Sequence, residues 1–463
     1  MEAALNLISV DYDRMQQIQL FLVDHTTAIK VTRVVLDILG AGLVCAGLFS
    51  AAQPVFSLVI SGIALVVVIE VAFFALRFLG FLNISEGDRP FVEGTYEKSR
   101  LYYKEGMPVL EIEADTHYDA GYAHGYLAGE GLVSMLIRLQ LIVRFTPFGK
   151  RLDEIFSKNF SKLLKQIPKD YRDEIEGVVA GVNAKKNESW FARMLPDLTE
   201  PNIIALHYLS TLDDLKDAAP AAACSVILTP EEVGRNLDWP SMGVLGNASL
   251  MKYQKIGDGP GLCEMTIAGC CGSLTAVNEH GVFAAMNVTS QTTVKSPPTE
   301  EKRIGQVFFN RHLLEHARSA EEVRALCMNQ DGFQPDAPYH LSVADRTDQF
   351  SCHFYQEDGT LETPHTIRSV RDDKPVVTLN ATYSGDSESS GMYYHEQRKK
   401  NIARGLKKGA SLTELLSQPY VNNELTIHSV VYQIQEGELH IALPSHSFSA
   451  KNPRVKFKTN IWA

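Results

Sequence analysis

The hydrophobic pattern of the chain is dominated by one long apolar block near its start. Between Arg33 and Arg77 the only charged residues are Asp37 and Glu70. An α-helix rises about 1.5 Å per residue, so about 20 residues cross the apolar core of a bilayer, and the block is long enough for two crossings. The pattern therefore predicts a transmembrane helical hairpin over residues 34–82.

Two helices form this predicted hairpin, Val34–Ala51 and Val55–Leu76, and the loop between them carries no charge. Basic residues flank the two helices: Lys30 and Arg33 precede the first, and Arg77 follows the second. Because basic flanks favour the cytoplasmic side of a membrane, both ends of the hairpin and the domain that follows are expected in the cytoplasm. A pair of buried core helices in a soluble fold is the alternative.

Beyond the hairpin the pattern changes twice. From Asp115 to Asp214, apolar residues recur at spacings of three and four, which is typical of amphipathic helices. From Ala221 onward, short apolar runs bounded by turn residues predict strands, and helical stretches at Phe308–Cys327 and Met392–Lys407 interrupt them. This mixture of helices and strands predicts a layered α+β domain.

Two hairpins are expected within the strand-rich part. Asn278–Gly281 has the composition of a tight turn between two apolar runs, and Ile427–Gln435 pairs with Glu438–Leu443 across a short polar turn. Each hairpin brings residues that are close in sequence onto neighbouring strands, so candidate side chains near the turns can be placed together.

Composition excludes several classes of function. The chain has 463 residues and a net charge of -11, so nothing points to a nucleic-acid partner. Its seven cysteines include no CxxC pair, and no Walker A, HExxH or GxSxG sequence occurs. His312 and His316 have the spacing of some zinc peptidases, but without a third ligand they are interpreted as an ordinary helix face. No metal or cofactor is predicted.

One group of residues has the composition of a catalytic site. Cys224 opens a predicted strand, and a turn at Thr229–Gly234 would bring Arg235 and Asp238 alongside it on the next strand. No histidine stands beside this cysteine as a base. A free α-amino group, with a pKa of about 7.7–8.0, can serve instead, but only after the chain is cut between Ala223 and Cys224. Self-cleavage at this bond is therefore predicted.

These residues resemble the N-terminal-nucleophile amide hydrolases of the choloylglycine hydrolase type. That group includes acid ceramidase, N-acylethanolamine acid amidase, bile salt hydrolase and the penicillin acyltransferase-like peptidases. The resemblance covers about residues 91–463 and leaves the hairpin as an added anchor. The matching segments, in the order of the family, are His117–Gly125, Glu174–Asn183, Cys224, Arg235–Trp239, Met286-Asn287, Thr378–Asn380 and Arg398.

The resemblance implies a four-layer αββα sandwich and a role for each residue at the nucleophile. Cys224 would supply the thiolate and, through its own amine, the base. Asp238 would hold that amine. Arg235 would stand beside the sulfur and favour its charged form.

Three further roles come from the same resemblance. Asn287 would donate a hydrogen bond to the oxyanion, and Asn380 would orient the amine or the substrate amide. Arg398 would support the site through charge pairing. The resemblance gives no firm position for the additional glutamate of some relatives, for which Glu264 is a candidate.

Four segments follow from these patterns: an N-terminal tail over 1–33, the hairpin over 34–82, a linker with a helical pro-region over 83–223, and a catalytic domain over 224–463. The predicted function is a membrane-anchored, self-processing cysteine amidohydrolase that acts on a linear N-acyl amide, with a lipid amide as a reasonable substrate. Acyl transfer to an amine is an alternative, and so is a membrane-anchored binding protein that has lost catalysis.

Overall fold

The computed structural model describes residues 91–145, 160–161, 163–188, 197–208, 223–239, 241, 244–289, 303–329, 332–336, 338–354, 366–372, 374–381, 383–384, 387–388, 394–423, 425–442 and 454–462. The predicted tail and transmembrane hairpin lie outside these residues. Among the helices that are described, none combines the length and the apolar character needed to cross a bilayer.

The helices of the described residues lie in two groups, one before the predicted cut and one after it. In chain order they are α1 (His117–Phe145), α2 (Lys169–Glu188), α3 (Glu200–Tyr208), α4 (Val244–Asn247), α5 (Gln306–His316), α6 (Ala320–Met328), α7 (His395–Lys407) and α8 (Leu412–Leu416). The stretch predicted as one helix over Phe308–Cys327 is two helices, because Ser319 caps a new helix by accepting a hydrogen bond from the Glu322 N–H.

The strands are short, and most of them are buried. They are β1 (Gly94–Tyr96), β2 (Ser99–Lys104), β3 (Met107–Ala114), β4 (Ala223–Leu228), β5 (Glu232–Asp238), β6 (Ser249–Ile256), β7 (Leu262–Ile267), β8 (Thr275–Asn278), β9 (Phe283–Val288), β10 (Arg303–Ile304), β11 (Gln334–Pro335), β12 (Tyr339–Ala344), β13 (Gln349–Phe354), β14 (Thr366–Ser369), β15 (Val376–Thr378), β16 (Tyr383–Ser384), β17 (Ser387–Glu388), β18 (Thr426–Gln433), β19 (Glu438–Ala442) and β20 (Val455–Lys458).

Two β-sheets stack face to face at the centre of the described region. The larger has the strand order β1-β2-β3-β6-β7-β8-β9-β12-β13-β14, and the smaller has the order β15-β4-β5-β18-β19-β20. Apolar side chains of both sheets meet between them, for example Met265 and Phe283 from the larger sheet with Val226 and Val430 from the smaller. This contact explains why strands on both sides of the interface are apolar over most of their length.

Helices cover the outer faces of the two sheets. α1, α2, α3, α5 and α6 pack on the larger sheet through one continuous apolar core. α7 and α8 pack on the smaller sheet around Ile402 and Leu415. The layers therefore run helix, sheet, sheet, helix, which is the αββα arrangement expected from the sequence.

The segment before the predicted cut forms α1, α2 and α3 where helices were predicted, but it also contains strands that were not predicted. It contributes three strands to the larger sheet, and β3 pairs in parallel with β6, so that Val109 lies opposite Met251. A parallel pairing of this kind joins distant parts of a chain and leaves no turn signal between its strands. The predicted pro-region and the predicted catalytic domain therefore share one sheet.

Candidate active site

The β4–β5 hairpin carries the predicted nucleophile. Cys224 lies opposite Leu237, and Val226 lies opposite Arg235. Residues directly opposite each other project from the same face of a sheet, so Cys224 and Arg235 lie on one face as diagonal neighbours. Arg235 Nη2 is 3.9 Å from Cys224 Sγ. The predicted proximity of the arginine to the sulfur is therefore present in the structure.

The turn of this hairpin is tighter than the predicted Thr229–Gly234. Val233 and Gly234 already pair with β4, and the Thr229 N–H donates to the Glu232 carbonyl at 2.9 Å. The extra paired residues hold the register that sets Arg235 beside Cys224.

Arg235 extends from the smaller sheet to the larger one. Its guanidinium is fully buried and donates to the Thr275 hydroxyl on β8 and, at 2.5 Å, to the Met286 carbonyl on β9. Two fixed acceptors on the opposite sheet leave the planar group little freedom to turn. The sulfur of Cys224 therefore faces a cation that is held in place.

The backbone of Cys224 is bound by the two residues predicted farthest along the chain. Its N–H donates to Asn380 Oδ1 at 2.7 Å, and its carbonyl accepts from Arg398 Nη1 at 2.6 Å. Arg398 also donates to Asn380 Oδ1 from Nη1 and Nη2, at 3.1 Å each, while Asn380 Nδ2 donates to the Val288 carbonyl at 2.8 Å. Because Oδ1 receives all these donors, the amide of Asn380 has one orientation.

Asn287 lies on β9 between Met286 and Val288, whose carbonyls bind Arg235 and Asn380. Its Nδ2 donates to the Thr378 carbonyl at 3.1 Å, and its buried Oδ1 has no hydrogen-bond partner among the described residues. An amide nitrogen carries two hydrogens, so one donor remains for another acceptor. β9 packs against β4, which brings Asn287 to the same end of the sandwich as Cys224.

Asp238 occupies the opposite face of β5 from Arg235, and it is paired in register with Ala223. Its carboxylate accepts from Asn423 Nδ2 at 3.0 Å and from the Thr426 hydroxyl at 2.6 Å. Asp238 therefore lies directly across from the residue that precedes the predicted cut.

Burial and charge act in opposite directions on the nucleophile. Burial raises the pKa of the Cys224 thiol above its ordinary value, and the nearby charge of Arg235 opposes this change. Burial also lowers the pKa of the Arg235 guanidinium, while the neighbouring sulfur favours its charged form. Each group thus stabilises the charged form of the other.

A cavity opens at Cys224 between the helix layer and the two sheets. It contains about 620 Å³ of empty space, including its open mouth. Apart from Cys224, Arg235 and His207, most of its wall is apolar and includes Leu206, Leu237, Trp239, Leu245, Leu274, Met286, Val288 and Ile427. A long apolar group suits this wall, with its reactive end at the sulfur.

Some residues of the site were missed from the sequence. Thr275 and Met286 position Arg235, while Asn423 and Thr426 hold Asp238. The available signal was a polar residue inside an apolar strand pattern, as at Thr275 and Thr426. A backbone carbonyl such as that of Met286 carries no sequence signal.

The remaining candidates are involved in other contacts. Glu264 forms a fully buried ion pair with Lys252 at 2.8 Å. The rings of His312 and His316 lie 4.1 Å apart along the surface of α5. Within the described residues, no group of three histidine, cysteine or acidic side chains is arranged to hold a metal ion.

Comparison with protein-family models gave no match, and comparison with curated proteins gave none either. Solved structures did match. An N-acylethanolamine-hydrolyzing acid amidase ortholog of Caenorhabditis elegans is 17% identical with a TM-score of 0.35, and the alignment covers 51% of this chain and 100% of that chain. Penicillin V acylase of Agrobacterium tumefaciens is 14% identical with a TM-score of 0.31, covering 51% and 86%.

A third match is a mutant form of the conjugated bile acid hydrolase of Clostridium perfringens. It is 14% identical with a TM-score of 0.31, and the alignment covers 51% of this chain and 97% of that chain.

Proposed function

We propose that the chain is a self-processing cysteine amidohydrolase of the N-terminal-nucleophile type, anchored to a membrane by the hairpin over 34–82. The observation that carries this proposal is that the backbone nitrogen and the sulfur of Cys224 are each contacted by a different buried side chain. Asn380 accepts from its backbone N–H at 2.7 Å, while Arg235 stands 3.9 Å from its sulfur at the end of an apolar cavity. The nitrogen that would become the base and the sulfur that would become the nucleophile each have a partner.

Self-cleavage would use the same sulfur. Cys224 Sγ attacks the carbonyl carbon of Ala223, the peptide C–N bond breaks, and the freed nitrogen takes the proton as an amine. Water then hydrolyses the resulting thioester, which leaves a carboxylate on Ala223 and restores the thiol. Asp238, paired with Ala223, and Asn380 would hold the new amine.

Amide hydrolysis would follow the same order of steps. The α-amine of Cys224 takes the thiol proton, and the thiolate adds to the substrate carbonyl. The free donor of Asn287 Nδ2 stabilises the oxyanion. The leaving amine departs with the proton from the ammonium group, and water, deprotonated by the same amine, releases the acid.

The cavity favours a substrate with a long apolar acyl group. Its wall consists mainly of aliphatic side chains together with Trp239. An acyl chain would occupy this space while the amide lies at Cys224. The proposed membrane anchor would bring the site close to lipids, so an N-acyl lipid amide is the substrate class that we favour.

Intact mass measurement tests self-processing. Wild type is expected to give two fragments, the second beginning at Cys224, while Cys224→Ala stays a single chain. Cys327→Ala is the matched control, because it removes a buried thiol from α6 and should leave cleavage unchanged. A single uncut wild-type chain across a range of pH values would refute self-processing.

Hydrolysis is tested separately on the processed protein. We expect release of fatty acid from N-acyl lipid amides, and an added amine acceptor should not replace water as the main acceptor. Normal processing without fatty acid release would reject the lipid amide, and transfer of the acyl group to the added amine would identify an acyltransferase instead.

A further inference from the structure

The loop between β7 and β8, residues 268–274, forms part of the cavity wall through Cys270 and Leu274. We infer that the segment before the cut fixes the shape of this wall: His124 and His207 clamp the loop and act as positioning residues that set which acyl chains fit. This inference rests on the proposed function. It assigns to the pro-region a lasting part in substrate selection, in addition to any role in self-cleavage.

The first half of the clamp is His124 on α1. The Gly269 N–H donates to His124 Nε2 at 3.0 Å, and the histidine is fully buried. Gly269 has a φ of +83°, and a Cβ there would lie 2.7 Å from Leu132 of the same helix. The loop is therefore pressed against α1 at a position where a side chain would clash, and one imidazole nitrogen fixes its backbone.

The second half is His207 at the end of α3. Its Nδ1–H donates to the Ile203 carbonyl at 2.8 Å, so Nε2 is the unprotonated nitrogen. That nitrogen accepts from the Cys271 N–H at 2.7 Å. The ring also stacks on Phe308, with 4.8 Å between centroids. His207 is thus held in the one tautomer that can accept a hydrogen bond from the loop.

Charged groups hold the other side of the loop. The Cys271 carbonyl accepts from Arg311 Nη1 at 2.5 Å, and the Cys270 carbonyl accepts from Lys252 Nζ at 3.4 Å. Arg311 is in turn paired at 2.8 Å with Glu174 of α2, and both are buried. Glu174 is therefore a third residue before the predicted cut that is connected to the loop, in this case through Arg311.

Both histidines must be neutral to accept these hydrogen bonds. Burial lowers the pKa of His124 to about 3 and that of His207 to about 4, and the positive charges of Lys252 and Arg311 act in the same direction, while Glu174 opposes them. Both hydrogen bonds from the loop to the histidines are therefore formed near neutral pH. His207 lines the cavity whereas His124 does not, so His124 is the position at which a change in acyl selection, together with a change in loop exchange, reports on the loop.

A pair of variants at His124 tests the inference. His124→Leu removes the acceptor, whereas His124→Gln offers a carbonyl oxygen in its place. Hydrogen exchange of the peptide that contains Gly269 and Cys271 is measured on the full chain, together with kcat/KM for N-acyl 4-nitroanilides from butanoyl to palmitoyl. His280→Ala, an exposed histidine at the β8–β9 turn, is the control.

We expect faster hydrogen exchange of the loop in His124→Leu. We also expect the ratio of kcat/KM for long over short acyl chains to change by at least about fivefold. His124→Gln and the control should match wild type. A lower melting temperature with an unchanged ratio and unchanged loop exchange would overturn the inference, since it would show a purely structural role.

A second measurement separates failure of this inference from failure of the proposed function. If wild type hydrolyses none of these amides, binding of a dansyl-labelled fatty acid replaces the rate ratio. Weaker binding in His124→Leu, restored in His124→Gln, would still support the clamp. Equal binding by all variants would overturn it whatever the reaction of the enzyme is.

Discussion

Arg235 and Arg398 each bring a buried guanidinium to Cys224, but they contact different atoms. Arg398 binds the carbonyl of Cys224 and thereby fixes the backbone, whereas Arg235 faces the sulfur. The hydrogen bonds of Arg235 go to the neutral oxygens of Thr275 and Met286. Burial lowers the pKa of Arg235, and the neighbouring sulfur of Cys224 and the carboxylate of Asp238 both oppose this change.

The effect of Arg235 on the sulfur gives a prediction at the residue scale. Arg235→Leu removes the positive charge, so the pKa of the Cys224 thiol should rise, since an opposite charge at this range typically lowers a pKa by about 1–3 units. The rate of alkylation of Cys224 by iodoacetamide, followed against pH by mass spectrometry, should shift to higher pH. Arg346→Leu on the surface serves as control, and an identical pH profile in both variants would contradict the prediction.

Four glycines determine how α1 and α2, the long helices before the predicted cut, pack together. α1 and α2 cross at Gly121 and Gly125 of one helix and Gly177 and Gly181 of the other. A Cβ at Gly125 would lie 2.1 Å from the Val178 carbonyl, so only glycine allows this approach. The crossing brings the helix that carries the buried Glu174 against the helix that carries His124.

A matched pair on α1 tests this packing at the element scale. Gly125→Ala should lower the melting temperature clearly, because overpacking costs about 1–3 kcal/mol or more where backbone cannot move. Gly129→Ala places its Cβ 3.4 Å from Val182, an ordinary contact, and gains helix propensity. It should therefore be neutral or stabilising. Similar melting temperatures for both variants would show that the helices are not held this closely.

Local patterns predicted those elements whose partners are near in sequence. The β8–β9 and β18–β19 hairpins were expected because a short turn joins two apolar runs, and both are present. β1 to β3 were not expected, and neither was β20. β3 is completed by β6 far along the chain, and β20 follows a segment without a hairpin turn signal. Pairing of this kind depends on the whole fold rather than on the local sequence.

The same division holds for the site. Cys224, Arg235 and Asp238 were placed together because they lie on one hairpin, and Asn380 and Arg398 were found only by resemblance to a family. His124 and His207 had no such signal, although both hold the loop beside the cavity. Their partners are backbone N–H groups, which every residue except proline carries. No pattern of side chains in the sequence therefore indicates these hydrogen bonds.

At the scale of the whole molecule, the predicted cut divides the chain but does not divide the fold. β3 lies before Ala223 and β6 after it, yet the two strands are paired within one sheet. Glu174 and Arg311 form a buried ion pair across the same division. Both pieces therefore contribute to one structure, and the buried histidines at their contact link its stability to pH.

The lowered pKa values of His124 and His207 mean that stability should decrease as the pH falls. His124 and His207 have pKa values of about 3 and about 4 when folded, against an ordinary value of 6.5, so the unfolded chain takes up protons that the folded chain does not. Their contribution is complete above about pH 6.5 and is lost as the pH falls, down to about 4 for His207 and about 3 for His124, at about 1.4 kcal/mol per pH unit for each histidine. The melting temperature should fall steeply across this window. Replacing both residues by glutamine should make the dependence less steep without removing it, because burial also lowers the pKa values of His312, His340 and His428. His280→Ala should leave the dependence unchanged. An equally steep fall in the double variant would mean that other groups take up these protons.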